Sequence, residues 1–239
     1  MQPKAVVDDF SIEQLVPYFQ PIFDLNIHKV SRYECLSRLV TPQDNIYYPN
    51  EFLYIISRAQ SNAAITQRML ELSVAYCLPR NMACSINMFK TDLLDNGLKK
   101  WLNDCFANYQ TNLLGVEFSF DSVNEQPYIL HSLIEEMPYL HITIEDVTEL
   151  DNKLKSVISC GVDAIKISGN SIKKYAKKNQ GETKLKHLVE YCHEKECTLI
   201  AEHIEDDQTL DSVLSLGVKY GQGFHLSTPS GRMTSLKQV

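Results

Sequence analysis

The sequence predicts an α/β fold: a (β/α)8 barrel of TIM type whose first strand runs antiparallel to the second. Three observations carry this. Short runs rich in β-branched and aromatic residues alternate with longer segments of helical apolar spacing, the pattern of a mainly parallel sheet covered by helices. Eight such runs occur, the number that closes a β/α barrel. The chain has 239 residues, close to the length of about 250 that such a barrel uses.

The first two runs, VPYFQPIF (16–23) and VSRYECL (30–36), are linked only by DLNIHK, too short for a crossover helix, so this pair is expected to be antiparallel. The remaining runs are ACSINMF (83–89), LGVEFSF (114–120), LHITIED (140–146), DAIKIS (163–168), CTLIAEH (197–203) and QGFHL (222–226). Between them AAITQRMLELSVAYCL (63–78) and TLDSVLSLG (209–217) have helical spacing. No Gly/Ser/Pro-rich linker interrupts the chain, so residues 15–239 are read as one domain after a short lead-in, 1–14.

Apolar residues make up 44% of the chain, enough for a buried core and too many for a disordered one. Lys plus Arg is 23 against 30 Asp plus Glu, and the net charge of −7 argues against wrapping duplex DNA. No stretch approaches the ~20 apolar residues of a membrane span. The opening MQPKAVVDDFS has no signal-peptide core, so a cytoplasmic location is expected. Seven cysteines include no C-x-x-C pair and read as reduced thiols packed like small hydrophobes, Cys35 among them.

A polar residue sits near the C-terminal part of nearly every strand-like run: Glu34, Asn87, Glu117, Glu145 with Asp146, Lys166, Glu202 and Gln222. In an apolar strand each costs several kcal/mol unless it is paired (roughly 2–7 for a neutral group). In a barrel these ends converge on one mouth, where active sites form. Five carboxylates and two amides gathered there need cations, and an all-oxygen set suits Mg²⁺, Mn²⁺ or Ca²⁺ rather than zinc. Two such ions sharing a carboxylate serve in-line displacement at phosphorus. Two readings stand on spacing alone: a metal-dependent phosphoesterase, or a barrel with buried ion pairs and no chemistry.

The ordered motifs are more specific. FQPIFDL (19–25) resembles a Y-Q-P-I opening, YECLSR (33–38) resembles E-A-L-x-R with Cys35 for Ala, and YYPNEFL (47–53) resembles P-x-x-F. SINMF (85–89), GVEFSF (115–120), TIEDVTE (143–149) and AIKIS (164–168) stand where s-x-N-x-s, L-E-I-T-E, D-D-F-G-x-G and I-K-I-D are expected. IAEHIED (200–206) and GQGFHLSTP (221–229) match I-A-E-G-V-E and Q-G-Y-x-x-x-x-P closely. Over residues 15–230 the chain resembles the EAL domain family of bacterial cyclic-di-GMP phosphodiesterases.

That resemblance implies a barrel with an antiparallel first strand and two-metal hydrolysis of cyclic-di-GMP to pGpG, with Mg²⁺ or Mn²⁺ active and Ca²⁺ bound but inhibitory. It implies that Glu34, Asn87 and Glu117 hold a first metal, that Glu145 bridges, and that Asp146 and Glu202 serve a second. Lys166 would position and help deprotonate the attacking water, its pKa depressed beside two metals, and Gln222 would orient that water. Glu202, Lys166 and Gln222 thus form the catalytic set. Arg38 would meet a substrate phosphate, Gln20 would line the nucleotide pocket, and Glu205 would be structural.

Departures cluster. Glu145 replaces the first Asp of D-D and carries one more methylene. VTELDNK (147–153) replaces a glycine-bearing loop and reads as a helix start with Thr148 as N-cap. Phe120 replaces the second Glu of L-E-I-T-E, with Asp121 on the opposite face if the strand continues, and Ser168 replaces the Asp of I-K-I-D. Family members often dimerise through this altered region, so a homodimer is one expected assembly. The resemblance therefore leaves two functions: a slowed phosphodiesterase, or an inactive domain that acts as a cyclic-di-GMP receptor or binds a protein regulator. The lysine-rich run 171–186 reads as a solvated helix face, His203 as a loop residue, and Tyr47 and Tyr48 as rim packing.

Overall fold

The computed structural model describes residues 11–53, 62–107, 113–125, 127–177 and 181–233. Residues 1–10 of the lead-in and 234–239 at the end of the barrel domain lie outside the described residues. The strands are β1 (Leu15–Asp24), β2 (Lys29–Val40), β3 (Ile46–Tyr47), β4 (Cys84–Asn87), β5 (Leu114–Ser119), β6 (His141–Val147), β7 (Ala164–Ser168), β8 (Thr198–Glu202) and β9 (Tyr220–Gly221). They form one sheet in the order β1-β9-β8-β7-β6-β5-β4-β2-β3, and an added β1–β2 pairing closes it. Eight strands make the barrel, while β3 pairs with β2 outside it.

As the short link required, β1 is antiparallel to β2; it is also antiparallel to β9. From β2 through β4 to β9 every neighbouring pair is parallel. The helices are α1 (Asn62–Cys77), α2 (Asn96–Phe106), α3 (Phe120–Val123), α4 (Pro127–Glu136), α5 (Asn152–Ile158), α6 (Gly169–Ala176), α7 (Gly181–Glu194) and α8 (Asp207–Ser215). None is long and apolar enough to cross a membrane.

Side-chain alternation splits the core in two. Outward-facing strand residues such as Cys35, Ile86, Val116, Ile144 and Ile165 join α1 residues Ile65, Met69 and Leu70 in one large shell between sheet and helices. Inside the barrel Ile22, Ala164 and Ile200 form a separate small cluster, with Tyr220 against it. Arg32 is buried too, its guanidinium donating to the Cys84 carbonyl at 2.9 Å, and Gly115 leaves the space that its side chain occupies.

Three local expectations are corrected. The last strand is Tyr220–Gly221, not 222–226. Beyond Gly221 the backbone pairs with Ile204 instead of a ladder: Ile204 N–H donates to the Gln222 carbonyl and His225 N–H to the Ile204 carbonyl, each at 3.0 Å. The 147–153 segment does not start a helix at Thr148. Asp151 is the N-cap, accepting from Leu154 N–H at 3.0 Å, while Tyr175 donates to Glu149 at 2.7 Å and its hydroxyl accepts from Leu150 N–H. Strand β5 stops at Ser119, so Phe120 is buried in the turn α3 and Asp121 lies in its first turn. The lysine-rich run spans α6 and α7; Lys173 pairs with Asp206 at 2.8 Å, and residues 178–180 fall outside the described residues.

Gly223 is where the turn crosses Ile204 most closely, and a Cβ there would run into the Ile204 backbone. Gly223→Ala is expected to destabilise the fold by about 1–3 kcal/mol, read as a lower urea midpoint with unchanged slope.

Candidate functional site

Strand register assembles the site. The antiparallel β1–β2 pair sets Gln20 opposite Glu34. The parallel ladders set Asn87 beside Glu117, Ser119 beside Glu145, and Ser168 beside Glu202. Successive strands therefore bring their polar residues to one end of the barrel, as the sequence pattern implied.

At the centre lies Lys166, fully buried. Its Nζ donates to Glu34 Oε2 at 2.6 Å and to Glu117 Oε2. Ser85 Oγ donates to the other Glu117 oxygen. Asn87 Nδ2 donates to Glu34 Oε1 at 2.7 Å and Gln222 Nε2 to Glu34 Oε2 at 2.8 Å. Burial works to raise the Glu34 pKa, yet the Lys166 charge and these hydrogen bonds bring it below the usual carboxylate value. Glu117 goes the other way, raised by burial and by the Glu34 charge.

The depressed pKa expected of Lys166 belongs to a site that holds two metals; the protein's own groups act differently. Burial lowers it, but Glu117, Glu34, Glu145 and Glu202 together hold the amine charged, well above an ordinary lysine. The expectation rested on metal charge; the carboxylates by themselves reverse the sign.

The β6–β7 ladder slips between Ile144 and Val147, and Asp146 adopts φ 58°. Such a bulge re-aims side chains, and Asp tolerates the left-handed region. The bulge sends the two carboxylates to different places. Glu145 joins Glu34 and Glu117, with carboxylate oxygens of the three within 4.8 Å of one another. Burial and then the Glu34 charge push the Glu145 pKa well up. Asp146 is exposed at the mouth, and its backbone N–H donates to Glu202 Oε1 at 3.2 Å. Burial pushes Glu202 up to about 7. His203 is 4.0 Å from Glu202 Oε1.

Above this floor opens a cleft of about 240 Å³ lined by Gln20, Arg38, Glu145, Asp146, Glu202 and Gln222, among others. Gln20 donates to the Ser227 carbonyl at 3.3 Å. Arg38 lies between two rings, 4.5 Å from the Tyr48 centroid and 5.4 Å from that of Tyr18. Glu205, expected to be structural, also lines the cleft, as does Phe224, which is 64% exposed. The sequence reading missed Ser85 and Tyr18 as site residues. Each lies two positions from a chosen residue, Asn87 and Gln20, and the alternation of a strand was the signal that could have found them.

The donor set fits a hard divalent cation. Glu34, Glu117 and Glu145 offer three converging carboxylate oxygens, and Asp146 and Glu202 extend the oxygen set at the cleft, while Asn87 turns its amide nitrogen to Glu34.

A family model described as "EAL domain" matches residues 4–229. Cyclic di-GMP phosphodiesterase PdeF of Escherichia coli is 20% identical over 218 residues, covering 87% of this chain and 29% of its own. The chain spans about a third or less of the length of the curated relatives it matches. The solved FimX EAL domain of Pseudomonas aeruginosa bound to c-di-GMP aligns with TM-score 0.81 at 23% identity, covering 93% of each chain. The Bacillus subtilis YkuI protein, solved with c-di-GMP and calcium, aligns with TM-score 0.75 at 19% identity, covering 98% of this chain and 59% of that one. These solved structures share its closed barrel, and by the family match this chain belongs to the EAL domain family.

Proposed function

We propose that the chain is a divalent-metal phosphodiesterase that opens cyclic-di-GMP to pGpG, slowed by Glu145. The observation that carries this is the convergence of Glu34, Glu117 and Glu145 beside Lys166 at the floor of the Arg38-lined cleft. The names of relatives such as PdeF support the substrate class.

Glu34, Asn87 and Glu117 would hold one Mg²⁺ or Mn²⁺, Glu145 would bridge, and Asp146 and Glu202 would hold a second. When bound, the ions supply Lewis-acid polarisation of the phosphodiester. The chain's own residues do the rest. Arg38, steadied by Tyr18 and Tyr48, presents a planar fork to a phosphate oxygen. Gln20 lines the nucleotide side of the cleft. Lys166, at the floor of the cleft beside Glu34 and Glu117, would position the attacking water and help take its proton. Gln222 fixes Glu34 and borders the same space. Seven free cysteines suit a reducing compartment, and we place the protein in the cytoplasm.

A receptor role is the second reading, favoured by one observation: the segment after Asp146 has no glycine and runs to the helix capped by Asp151. On that reading a protein regulator or a second copy of the chain is the partner.

Calorimetric titration of cyclic-di-GMP with Ca²⁺, then turnover with Mg²⁺ and Mn²⁺, separates the two. The enzyme reading expects binding, and pGpG formation that Glu34→Ala abolishes; binding without turnover would establish the receptor. Glu145→Asp is expected to raise kcat by about tenfold or more, equivalent to about 1.4 kcal/mol of barrier. No gain would point to the altered loop or to lost function. Arg38→Lys is expected to raise Kd for cyclic-di-GMP by about 10-fold or more, because a lysine ammonium is a point charge without the stacked fork.

A further inference from the structure

On the outer face of the barrel, away from the cleft, three cysteines meet. Cys35 of β2, Cys84 of β4 and Cys77 at the end of α1 are each at most 1% exposed. Their sulfurs lie within 4.8 Å of one another. The inward neighbours Glu34 and Ser85 belong to the nucleotide site, so the thiols occupy the opposite side of the same two strands.

Three sulfurs around a thiolate-bound first-row metal, with bonds of about 2.3 Å, sit roughly 4 Å apart, close to this spacing. Among the described residues no His, Asp or Glu completes a tetrahedral set, which disfavours zinc. Soft sulfur donors without a fourth ligand suit a thiophilic monovalent ion of the copper(I) class. Charge agrees with this: the Arg32 guanidinium lies against the Cys84 carbonyl at 2.9 Å, and the Arg80 charge reaches Cys77.

A second cleft, of about 230 Å³, leads to Cys35, and its walls carry the thioethers of Met69 and Met88. Thioethers are soft donors, so the approach is lined with the same chemistry as the site.

We propose that Cys35, Cys77 and Cys84 form a binding site for a copper(I)-class ion that ties α1 to β2 and β4. Two thiols release their protons to solvent and bind as thiolates, and the third sulfur binds as the thiol. The site then carries a net charge of one negative unit beside Arg32.

The test uses the full chain, reduced and anaerobic, titrated with an acetonitrile-stabilised copper(I) salt against a chromogenic copper(I) chelator. The expected result is a single ion retained per chain and a raised Tm. Cys84→Ser should lose at least about tenfold in affinity, as removal of a metal-supporting group does, while Cys105→Ser at the exposed thiol should not. Where Cys84→Ser fails to fold by circular dichroism, X-ray absorption of the loaded native chain decides. A three-sulfur shell at about 2.3 Å supports the site. A two-sulfur shell would overturn the three-cysteine site, as would no retention against the chelator.

Discussion

The buried Lys166 cation is the constraint around which the barrel mouth is organised. An ammonium with no exposed surface is tolerated only when paired; Glu34 pairs with it from β2 across the barrel and Glu117 from β5, two strands away. Those carboxylates are tolerable for the same reason. Their remaining oxygens are taken by Asn87, Gln222 and Ser85, so β2, β4, β5, β7 and the turn after β9 are bonded through a single network. Removing one member of such a group leaves an uncompensated buried charge, which typically costs about 3–5 kcal/mol. The chain thus uses one set of interactions to tie these strands together at the barrel mouth.

Glu145 and Glu202 stand outside that balance. Among the described residues neither has a hydrogen-bonded cation, and burial lifts both pKa values. Both line the cleft, where a bound cation would favour their charged forms. The shape of the cleft floor comes from the bulge at Asp146, which turns Glu145 inward and leaves Asp146 facing the cleft. A longer side chain at 145 sits on a backbone that has already left regular strand geometry. Its reach therefore depends on the bulge as well as on the added methylene.

The two faces of β2 and β4 carry opposite chemistries. Inward lie hard oxygen donors, outward lie soft sulfur donors, and strand alternation separates them by one residue: Glu34 from Cys35, Ser85 from Cys84. An ion held on the outer face would stiffen the same strands that carry Glu34 and Asn87, and α1 would be the element it secures.

Much of this was legible in sequence because period and punctuation are local. Alternating runs gave the barrel, the DLNIHK link gave the antiparallel β1, and polar residues near strand ends marked Glu34, Asn87, Glu117, Lys166 and Glu202 for one mouth. What failed depended on contacts distant in sequence. The stretch 222–226 reads as a strand, but its backbone partner is Ile204, so the ladder ends at Gly221. Thr148 reads as a cap, but Tyr175 from α6 engages Glu149 and Leu150 and moves the helix start to Asp151. By itself the sequence determined the elements and the residue types at their ends. Only the tertiary structure decided which oxygens converge, which pair off, and that three cysteines from separate segments meet, because distances between strands are set by register and closure.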